Sequence, residues 1–438
     1  MTMNVSMSNS EMVFWICMSL VAYNYIGYPL VLFLLSMLSQ AKSDLLFLFR
    51  RGGRRCTAST QYLPHVTVLM SAHNEEAVIQ PKVKNTFETE YPSERLEFLI
   101  GLDAPSDATA DLLSPMTFDR LRVTHFKDRR GKLAVLRTLA QQTSAEILVI
   151  TDANTKLEPN CIRNLVRHFA DPRVGAVSGE ENRVTSPGSD PAAEALYWRY
   201  ESALKLLENR LDCTLGGNGS VLAVRRSLFQ PQKHTLIEDF QIPLEIRLKG
   251  YRVIYDPEAV AVEEIAPTLS AQFARRVRIG AGNYQTLFAN LQCLNPLKGM
   301  LAFCFFSHRV LRWFAPLLLI IGFCCNALLA GQGGFSTLLA AQSAFYLCAG
   351  LGFLCKKNGI RVRLFSAPLY FCSMNLAMLL GLLRYLGGGK KLTWSSTPRR
   401  TQTESIVDKE GSRNPHHPAA PHHAVKTDAG GQSAFQGN

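Results

Sequence analysis

Acidic residues stand at the ends of short apolar runs in the middle of this 438-residue chain. Asp103 and Asp152 each end a run that is rich in β-branched and aliphatic residues, and the pair Glu238-Asp239 comes later. A carboxylate can hold a hard cation, accept a hydrogen bond from a ligand, or remove a proton from a hydroxyl group. An Asp that follows a strand more commonly starts a turn or caps a helix, so each residue alone is weak support for a site.

The elements around these residues alternate between strand-like and helix-like patterns. Such alternation predicts a largely parallel sheet that is covered by helices. Ligands of these sheets bind at the carboxyl ends of the strands, which is where Asp103 and Asp152 are placed. The predicted strands are residues 65–71, 96–102, 121–125 and 146–151, and one predicted helix is 132–142.

Long apolar segments lie on both sides of this α/β region. Residues 12–38 contain no Lys, Arg, Asp or Glu, and a helix of that length can cross a bilayer. Hydrophobicity returns in three blocks, at 310–329, 335–354 and 364–386. The sequence therefore predicts four spans, one before the α/β domain and three after it.

Basic residues predict the orientation of the chain. No Lys or Arg precedes the first span, and five follow it, so the positive-inside rule places the α/β domain in the cytoplasm. Three further spans would then leave the C-terminus outside, although four basic residues between 390 and 400 favour the cytoplasm. Either one apolar block is re-entrant, or residues 286–306 enter the membrane. The five residues after the first span are Lys42, Arg50, Arg51, Arg54 and Arg55.

The net charge of +12 does not require a nucleic-acid partner, because the basic residues gather beside the spans, where anionic lipid headgroups attract them. We therefore expect membrane lipids and no nucleic acid among the partners. The 11 cysteines show no paired metal spacing apart from the adjacent Cys324 and Cys325, so neither a disulfide framework nor a zinc site is supported.

These patterns divide the chain into six parts. The predicted parts are a transmembrane helix at 1–40, a basic juxtamembrane linker at 41–64, an α/β domain at 65–283, an interfacial helix region at 284–307, three transmembrane helices at 308–387, and a basic tail at 388–438 that is largely disordered because it is polar and rich in Pro and Gly.

Seven motifs follow one another inside the domain. They are Ser71-Ala72-His73-Asn74-Glu75, Asp103 with Asp107, Gly131-Lys132, Asp152-Ala153-Asn154, Gly216-Gly217-Asn218, Glu238-Asp239 and Gln272-Phe273-Ala274-Arg275-Arg276. In this order they resemble the family 2 glycosyltransferases with a GT-A fold, in particular the membrane-embedded branch that contains cellulose, hyaluronan and poly-N-acetylglucosamine synthases. The resemblance implies an α/β GT-A domain with a Rossmann-like, mostly parallel sheet in the cytoplasm, joined to an α-helical transmembrane region of the cytoplasmic membrane.

The resemblance also implies a nucleotide-sugar donor, which in this branch is UDP-linked. Asp103 would accept the imide N–H of uracil, and Lys132 would neutralise the diphosphate. Arg276 stands where processive members carry the Trp on which an acceptor sugar stacks, so processivity is left open. The implied donor-binding residues are Ala72, Asn74, Glu75, Asp103, Asp107, Lys132, Asp152, Gln272, Arg275 and Arg276.

Asp152 and Asn154 occupy the position of the family's Asp-x-Asp metal motif. Residues i and i+2 at a strand end point to the same side, so two oxygen ligands can meet one cation, which would be Mg²⁺ or Mn²⁺. Because Asn154 brings no charge, we expect a lower metal affinity than two carboxylates would give.

The pair Glu238-Asp239 matches the family's catalytic motif. The resemblance implies that Asp239 removes the proton of the acceptor hydroxyl in an inverting transfer, while Glu238 orients the site. A helix-cap role for this pair is the ordinary alternative. The loop Gly216, Gly217 and Asn218 would bind the acceptor, since glycines allow a close backbone approach.

The sequence is compatible with three functions for this chain. The first is polysaccharide synthesis coupled to export, with an export channel or a small accessory subunit as partners by resemblance only. The second is transfer of a single sugar to a membrane lipid. The third is a non-catalytic membrane partner that kept the fold, for which Asn154 and Arg276 would be signs of decay. The intact residues Asp103, Lys132 and Asp239 argue against the third.

Overall fold

The computed structural model describes residues 7–49, 59, 61–184, 191–231, 235–264, 269–360 and 362–388. Most of the predicted linker after residue 49 and all of the predicted tail after residue 388 lie outside the described residues. The prediction of a disordered tail therefore stays a prediction.

One sheet of eight strands forms the centre of the α/β domain, in the order β3-β2-β1-β4-β7-β6-β8-β5. The first four strands in this order are parallel, and β6 is also parallel to β8, whereas β7 and β5 run antiparallel to their neighbours. The prediction of a mostly parallel sheet is confirmed. The strands are β1 (Val66–Ala72), β2 (Leu96–Asp103), β3 (Leu121–Phe126), β4 (Ile147–Ile150), β5 (Thr155–Leu157), β6 (Val174–Val184), β7 (Leu222–Arg225) and β8 (Arg252–Glu264).

The central strands β1 and β4 are buried along their whole length and are mostly apolar, because both faces of the sheet are covered. In β1, Val68 and Met70 face one layer of the core and Leu69 faces the other. In β4, Val149 and Leu148 divide in the same way. The domain helices are α3 (Ile79–Phe87), α4 (Thr109–Leu113), α5 (Lys132–Gln141), α6 (Cys161–Val166), α7 (Pro191–Arg210), α8 (Glu238–Leu248) and α9 (Leu269–Ala289), after α1 (Asn9–Ala22) and α2 (Tyr28–Leu48).

Among the residues that the structure describes, four helical segments are long and apolar enough to cross a membrane, as the sequence predicts: Asn9–Leu48, Met300–Leu328, Phe335–Lys357 and Arg363–Leu386. The first joins α1 to α2 through a π-helical turn at Tyr23–Gly27. The second contains α10 (Met300–Cys304), a π-helical turn at Phe305–Val310, and α11 (Leu311–Leu328). The others are α12 (Phe335–Lys357) and α13 (Arg363–Leu386).

Two predicted boundaries differ from the structure. The boundary at 283/284 falls inside α9, because the helix continues without a Pro to Ala289. The boundary at 307/308 falls inside the continuous helical segment that begins at Met300, so the predicted interfacial region contains the end of one helix and the start of another.

The last membrane helix packs directly on the last helix of the α/β domain. A Cβ atom at Gly381 of α13 would lie 2.7 Å from the backbone nitrogen of Ala281 in α9. A Cβ atom at Gly280 would lie 3.2 Å from the carbonyl oxygen of Ala377. The two helices therefore touch backbone to backbone, which only small residues permit.

Candidate active site

The loops that follow β1 and β2 are joined by hydrogen bonds into one surface. Asn74 and Ala104 both have positive φ angles, of 56° and 49°. The Asn74 side chain accepts a hydrogen bond of 2.8 Å from the backbone N–H of Ser106. Asp107 accepts bonds from the backbone N–H and the hydroxyl of Thr109. Burial acts to raise the pKa of Asp107, but these hydrogen bonds outweigh it and lower the pKa.

The backbone of the β1 loop completes this surface. The N–H of Glu75 donates to the Thr109 hydroxyl at 2.8 Å, and the N–H of Glu76 donates to Asp107 at 3.2 Å. The side chain of Ala72 is fully buried in the core, so only its main chain is available for the predicted donor contact.

Asp103 ends β2 with its side chain buried. Its two carboxylate oxygens accept the backbone N–H groups of Arg130, at 2.6 Å, and Gly131, at 2.9 Å. Gly131 has φ +82°, and Lys132 then starts α5. Asp103 thus fixes the loop that presents Lys132, and the predicted contact with a uracil base would have to use the remaining lone pairs of the same carboxylate.

Lys132 joins three elements. Its ammonium group lies 2.7 Å from a carboxylate oxygen of Asp152, after β4, and 2.5 Å from one of Glu238, at the start of α8. Burial acts to lower the pKa of Lys132, but the two carboxylates outweigh it and raise the pKa. Burial acts to raise the pKa of Glu238, but the charge and hydrogen bond of Lys132 outweigh burial, so the pKa is lowered. The structure therefore brings three predicted site residues together.

Asp239 follows Glu238 and is enclosed by the glycine-rich loop. The backbone N–H of Gly217 donates to the carbonyl of Asp239 at 2.9 Å. A Cβ atom at Gly216 would lie 2.6 Å from the ring of Phe240, and one at Gly219 would lie 3.1 Å from the Cβ of Asp239. These glycines thus let the loop close on the first turn of α8.

Burial, and after it the neighbouring charge of Glu238, raise the pKa of Asp239 to about 6. A carboxyl group with this pKa is largely ionised at neutral pH and is a stronger base than an ordinary Asp, which suits proton abstraction from a hydroxyl.

This pKa predicts the acid limb of the pH profile. A base must be deprotonated to work, so we expect kcat/KM for the donor to fall as the pH drops through about 6, approaching a roughly tenfold loss per pH unit below that value. The measurement is nucleotide release between pH 4.5 and 8 by protein whose melting temperature is followed over the same range. An acid limb near the ordinary Asp pKa of about 4 would contradict the assignment.

The third residue of the acceptor loop is held on all sides. The Asn218 amide donates to the carbonyl of Gly179 at 2.7 Å and accepts from the ammonium of Lys205 at 2.7 Å, and its backbone N–H donates to the Ser178 hydroxyl at 2.9 Å. The acceptor contact predicted for Asn218 stays a prediction. The bonds place the loop between α7 and β6.

Asn154 approaches two charged residues from other elements. Its amide nitrogen donates to Glu263 of β8 at 3.3 Å, and Arg275 of α9 donates to the same oxygen of Glu263 at 2.9 Å. Glu263 also forms an ion pair with Arg183 of β6 at 3.5 Å, and Arg183 forms a second ion pair with Glu181 of the same strand at 2.6 Å.

Glu181, Arg183 and Glu263 are site residues that the motifs did not predict. Burial acts to raise the pKa of Glu181, but the charges of Arg183 and Arg275 and the hydrogen bonds to Glu263 and Ser220 together outweigh burial and lower this pKa. Burial and the neighbouring charge of Glu181 raise the pKa of Glu263 to about 7. Their signal in the sequence is an acidic pair, at 180–181 and at 263–264, in the carboxyl-terminal half of a long strand.

Asp152 and Asn154 are suited to hold a divalent cation that a bound ligand would also coordinate. Asp152 offers a partly exposed carboxylate and Asn154 an amide oxygen, and both are ligands that Mg²⁺ and Mn²⁺ accept. Within the described residues there is no group of three or more His, Cys, Asp or Glu side chains that could hold a metal ion. The rest of the coordination sphere would come from the donor diphosphate and from water.

The structure places Arg276 beside α13, and its predicted donor contact stays a prediction. Its guanidinium lies 5.0 Å from the ring centre of Tyr370 in α13, so the side chain packs against one of the four apolar helical segments. Arg278, three residues after Arg275, shares its helix face and interacts electrostatically with Glu238, Asp239 and Asp152. Burial lowers the pKa of Arg278. Gln272 lies near the start of α9 and is half-buried.

Comparison with solved structures identifies the fold class. The chain is similar to a mannosyltransferase from Pyrobaculum calidifontis that was solved in complex with GDP-mannose and Mn²⁺, with a TM-score of 0.63 and 22% identity over 85% of this chain and 99% of that one. The α/β domain therefore has the GT-A fold, as the sequence predicts, and the apolar helices precede and follow it in the chain.

Comparison with families and curated proteins gives the family of the domain. Residues 67–230 match the model of glycosyl transferase family 2. The chain is 25% identical to a probable glycosyltransferase, YdaM, of Bacillus subtilis over 57% of this chain and 62% of the relative. It is also 25% identical to the poly-β-1,6-N-acetyl-D-glucosamine synthase of Staphylococcus aureus over 51% of this chain and 56% of that protein. Residues 67–230 are thus similar to family 2 glycosyltransferases, and the chain spans less than two thirds of the length of these curated relatives.

Proposed function

We propose that the protein is an inverting glycosyltransferase that moves a sugar from a UDP-sugar to an acceptor hydroxyl at the cytoplasmic face of the membrane. The observation that carries the proposal is Asp239, a half-buried carboxylate with a pKa of about 6, near the ammonium that joins Asp152 to Glu238. A base and a cationic diphosphate site in one cleft are what such a transfer needs.

In this mechanism Asp239 takes the proton of the acceptor hydroxyl while the hydroxyl oxygen attacks the anomeric carbon of the donor. The bond from that carbon to the diphosphate oxygen breaks, and its electron pair leaves with UDP. Lys132, Arg275 and Arg278 offset the negative charge on the departing diphosphate. Glu238 keeps Lys132 in place and stays ionised through its contact with that lysine.

A divalent cation, when bound, would be held by Asp152 and Asn154 and would act as a Lewis acid on the diphosphate. The GT-A neighbour from Pyrobaculum calidifontis was solved with Mn²⁺, which supports a cation at this edge of the sheet. Mg²⁺ and Mn²⁺ both suit the two oxygen ligands.

The name of the Staphylococcus aureus relative supports a polysaccharide as the product, and the four apolar helical segments support a multi-pass protein of the cytoplasmic membrane. Export of the product and accessory subunits belong to the same proposal. The second candidate is transfer of one sugar to a membrane lipid, which the contact of Arg276 with Tyr370 favours, because no Trp stands at that position to stack on a sugar chain.

A donor screen tests the proposal. We expect the full chain in detergent or lipid nanodiscs to release UDP from one UDP-hexose in the presence of Mg²⁺ or Mn²⁺, and little nucleotide from GDP-mannose. Labelled sugar should appear in a high-mass glycan; label in a single lipid spot would select the second candidate. Release of GDP alone would contradict the uracil assignment. Folded protein that releases no nucleotide from any donor would contradict the transferase proposal.

A further inference from the structure

Lys82 of α3 is a buried lysine beneath the end of β4. Its side chain is 3% exposed. The ammonium donates hydrogen bonds to the hydroxyl of Thr151, at 2.8 Å, and to the carbonyl of Thr155, at 2.6 Å. Within the described part of the chain it forms no ion pair, and burial lowers its pKa to about 7.

The two partners of Lys82 bracket the predicted metal ligands. Thr151 comes immediately before Asp152, and Thr155 immediately after Asn154. Both threonines are buried, at 0% and 1% exposed. One ammonium group therefore holds both ends of the segment from which the two ligands project. Burying a charged group costs free energy that an apolar side chain in the same place would not cost. We therefore attribute the role of Lys82 to the segment 151–155, whose two ends its hydrogen bonds connect.

The next turn of α3 provides a matched contact that does not involve the ligands. The Asn85 amide donates to the carbonyl of Leu157 at 2.9 Å and accepts from its backbone N–H at 2.8 Å. Asn85 thus also makes two hydrogen bonds to the chain after β4, but it holds β5 and leaves residues 151–155 to Lys82.

We propose that Lys82 is a positioning residue for the metal and donor site. By joining Thr151 to Thr155, it fixes the separation and direction of Asp152 and Asn154, so that both oxygens can meet one cation on the donor diphosphate. This inference rests on the proposed function. Lys82 itself would not contact the substrate.

The test measures binding of Mn²⁺–UDP to the full chain in detergent by calorimetry, together with the melting temperature. Thr151→Val keeps the shape of the side chain and removes the acceptor, and we expect it to raise the Kd about tenfold, the effect of one lost hydrogen bond to a charged group. Lys82→Met should raise the Kd further. Thr151→Ser should stay within about twofold of wild type, because it keeps the hydroxyl.

Asn85→Ala is the control for a merely structural role. It should lower the melting temperature about as much as Thr151→Val and leave the Kd for Mn²⁺–UDP within about twofold. Equal effects of Asn85→Ala and Thr151→Val on the Kd would overturn the inference, as would an unchanged Kd in folded Lys82→Met. If Lys82→Met does not fold, the comparison of Thr151→Val with Thr151→Ser tests the inference, and equal Kd values for these two variants would overturn it. Wild-type protein that fails to bind Mn²⁺–UDP would contradict the proposed function instead.

Discussion

Asp239→Asn is expected to fold normally and to lower kcat for sugar transfer by about 10²–10⁴-fold, the usual contribution of a general base. The amide oxygen can still accept the hydrogen bond of 3.0 Å that the backbone N–H of Phe240 donates to Asp239, and the loop contact from Gly217 goes to the backbone. The amide cannot take the proton of the acceptor. The measurement is nucleotide release at pH 7.5 with saturating donor.

Stability and binding separate this loss from unfolding. Because burial raises the pKa of Asp239, the charged carboxylate is disfavoured in the fold, and the neutral amide should give an equal or higher melting temperature. Binding of Mn²⁺–UDP should be unchanged. Asp111→Asn, on the exposed side of α4, is the matched control and should keep full activity. Turnover by Asp239→Asn within tenfold of wild type would exclude Asp239 as the base.

Lys132→Met is expected to lower kcat/KM for the donor by about 10²–10³-fold and to destabilise the protein. In the proposed mechanism the change removes the cation that would face the diphosphate. It also leaves Asp152 and Glu238 without their partner, and breaking a buried ion pair typically costs about 3–5 kcal/mol. Donor kinetics and the melting temperature measure the two effects, and Lys156→Met, an exposed lysine of β5, is the control.

The double variant Lys132→Met with Glu238→Gln distinguishes the two effects of that change. Neutralising Glu238 removes one of the unpaired charges, so part of the lost melting temperature should return. The donor kinetics should stay low, because the diphosphate still lacks its cation. If activity returned together with stability, Lys132 would be a structural residue, and the proposed mechanism would lose its diphosphate contact.

The parallel half of the sheet was predictable from the sequence because each buried strand is a short apolar run of regular length. The strands that end at Asp103 and near Asp152 lie within one residue of their predicted bounds. The proximity of Asp152 to Glu238 was not predictable from any local pattern, since the two residues are far apart in the chain and meet only through Lys132. Their shared place in one ordered set of motifs was the sole indication.

Two features of the site differ in how far the sequence could indicate them. The donor contact of Arg276 stays a prediction from motif position, whereas a helix repeat of 3.6 residues places Arg275 and Arg278 on one face and turns Arg276 towards α13. That helix face could be read from the sequence. The meeting of Glu181 and Glu263 could not, because it depends on the pairing of β6 with β8, in which Arg183 stands opposite Glu263. Pairing between strands so far apart in the chain is not encoded in either strand alone.

The backbone contact between Gly280 and Gly381 offers a route by which the bilayer can act on the proposed donor site. A transmembrane helix changes its tilt when the thickness of the surrounding hydrocarbon changes. Because no side chains separate the two backbones at this contact, we expect a change in the tilt of α13 to move α9, which carries Arg275 and Arg278. The affinity for the nucleotide is then expected to depend on the chain length of the surrounding lipid.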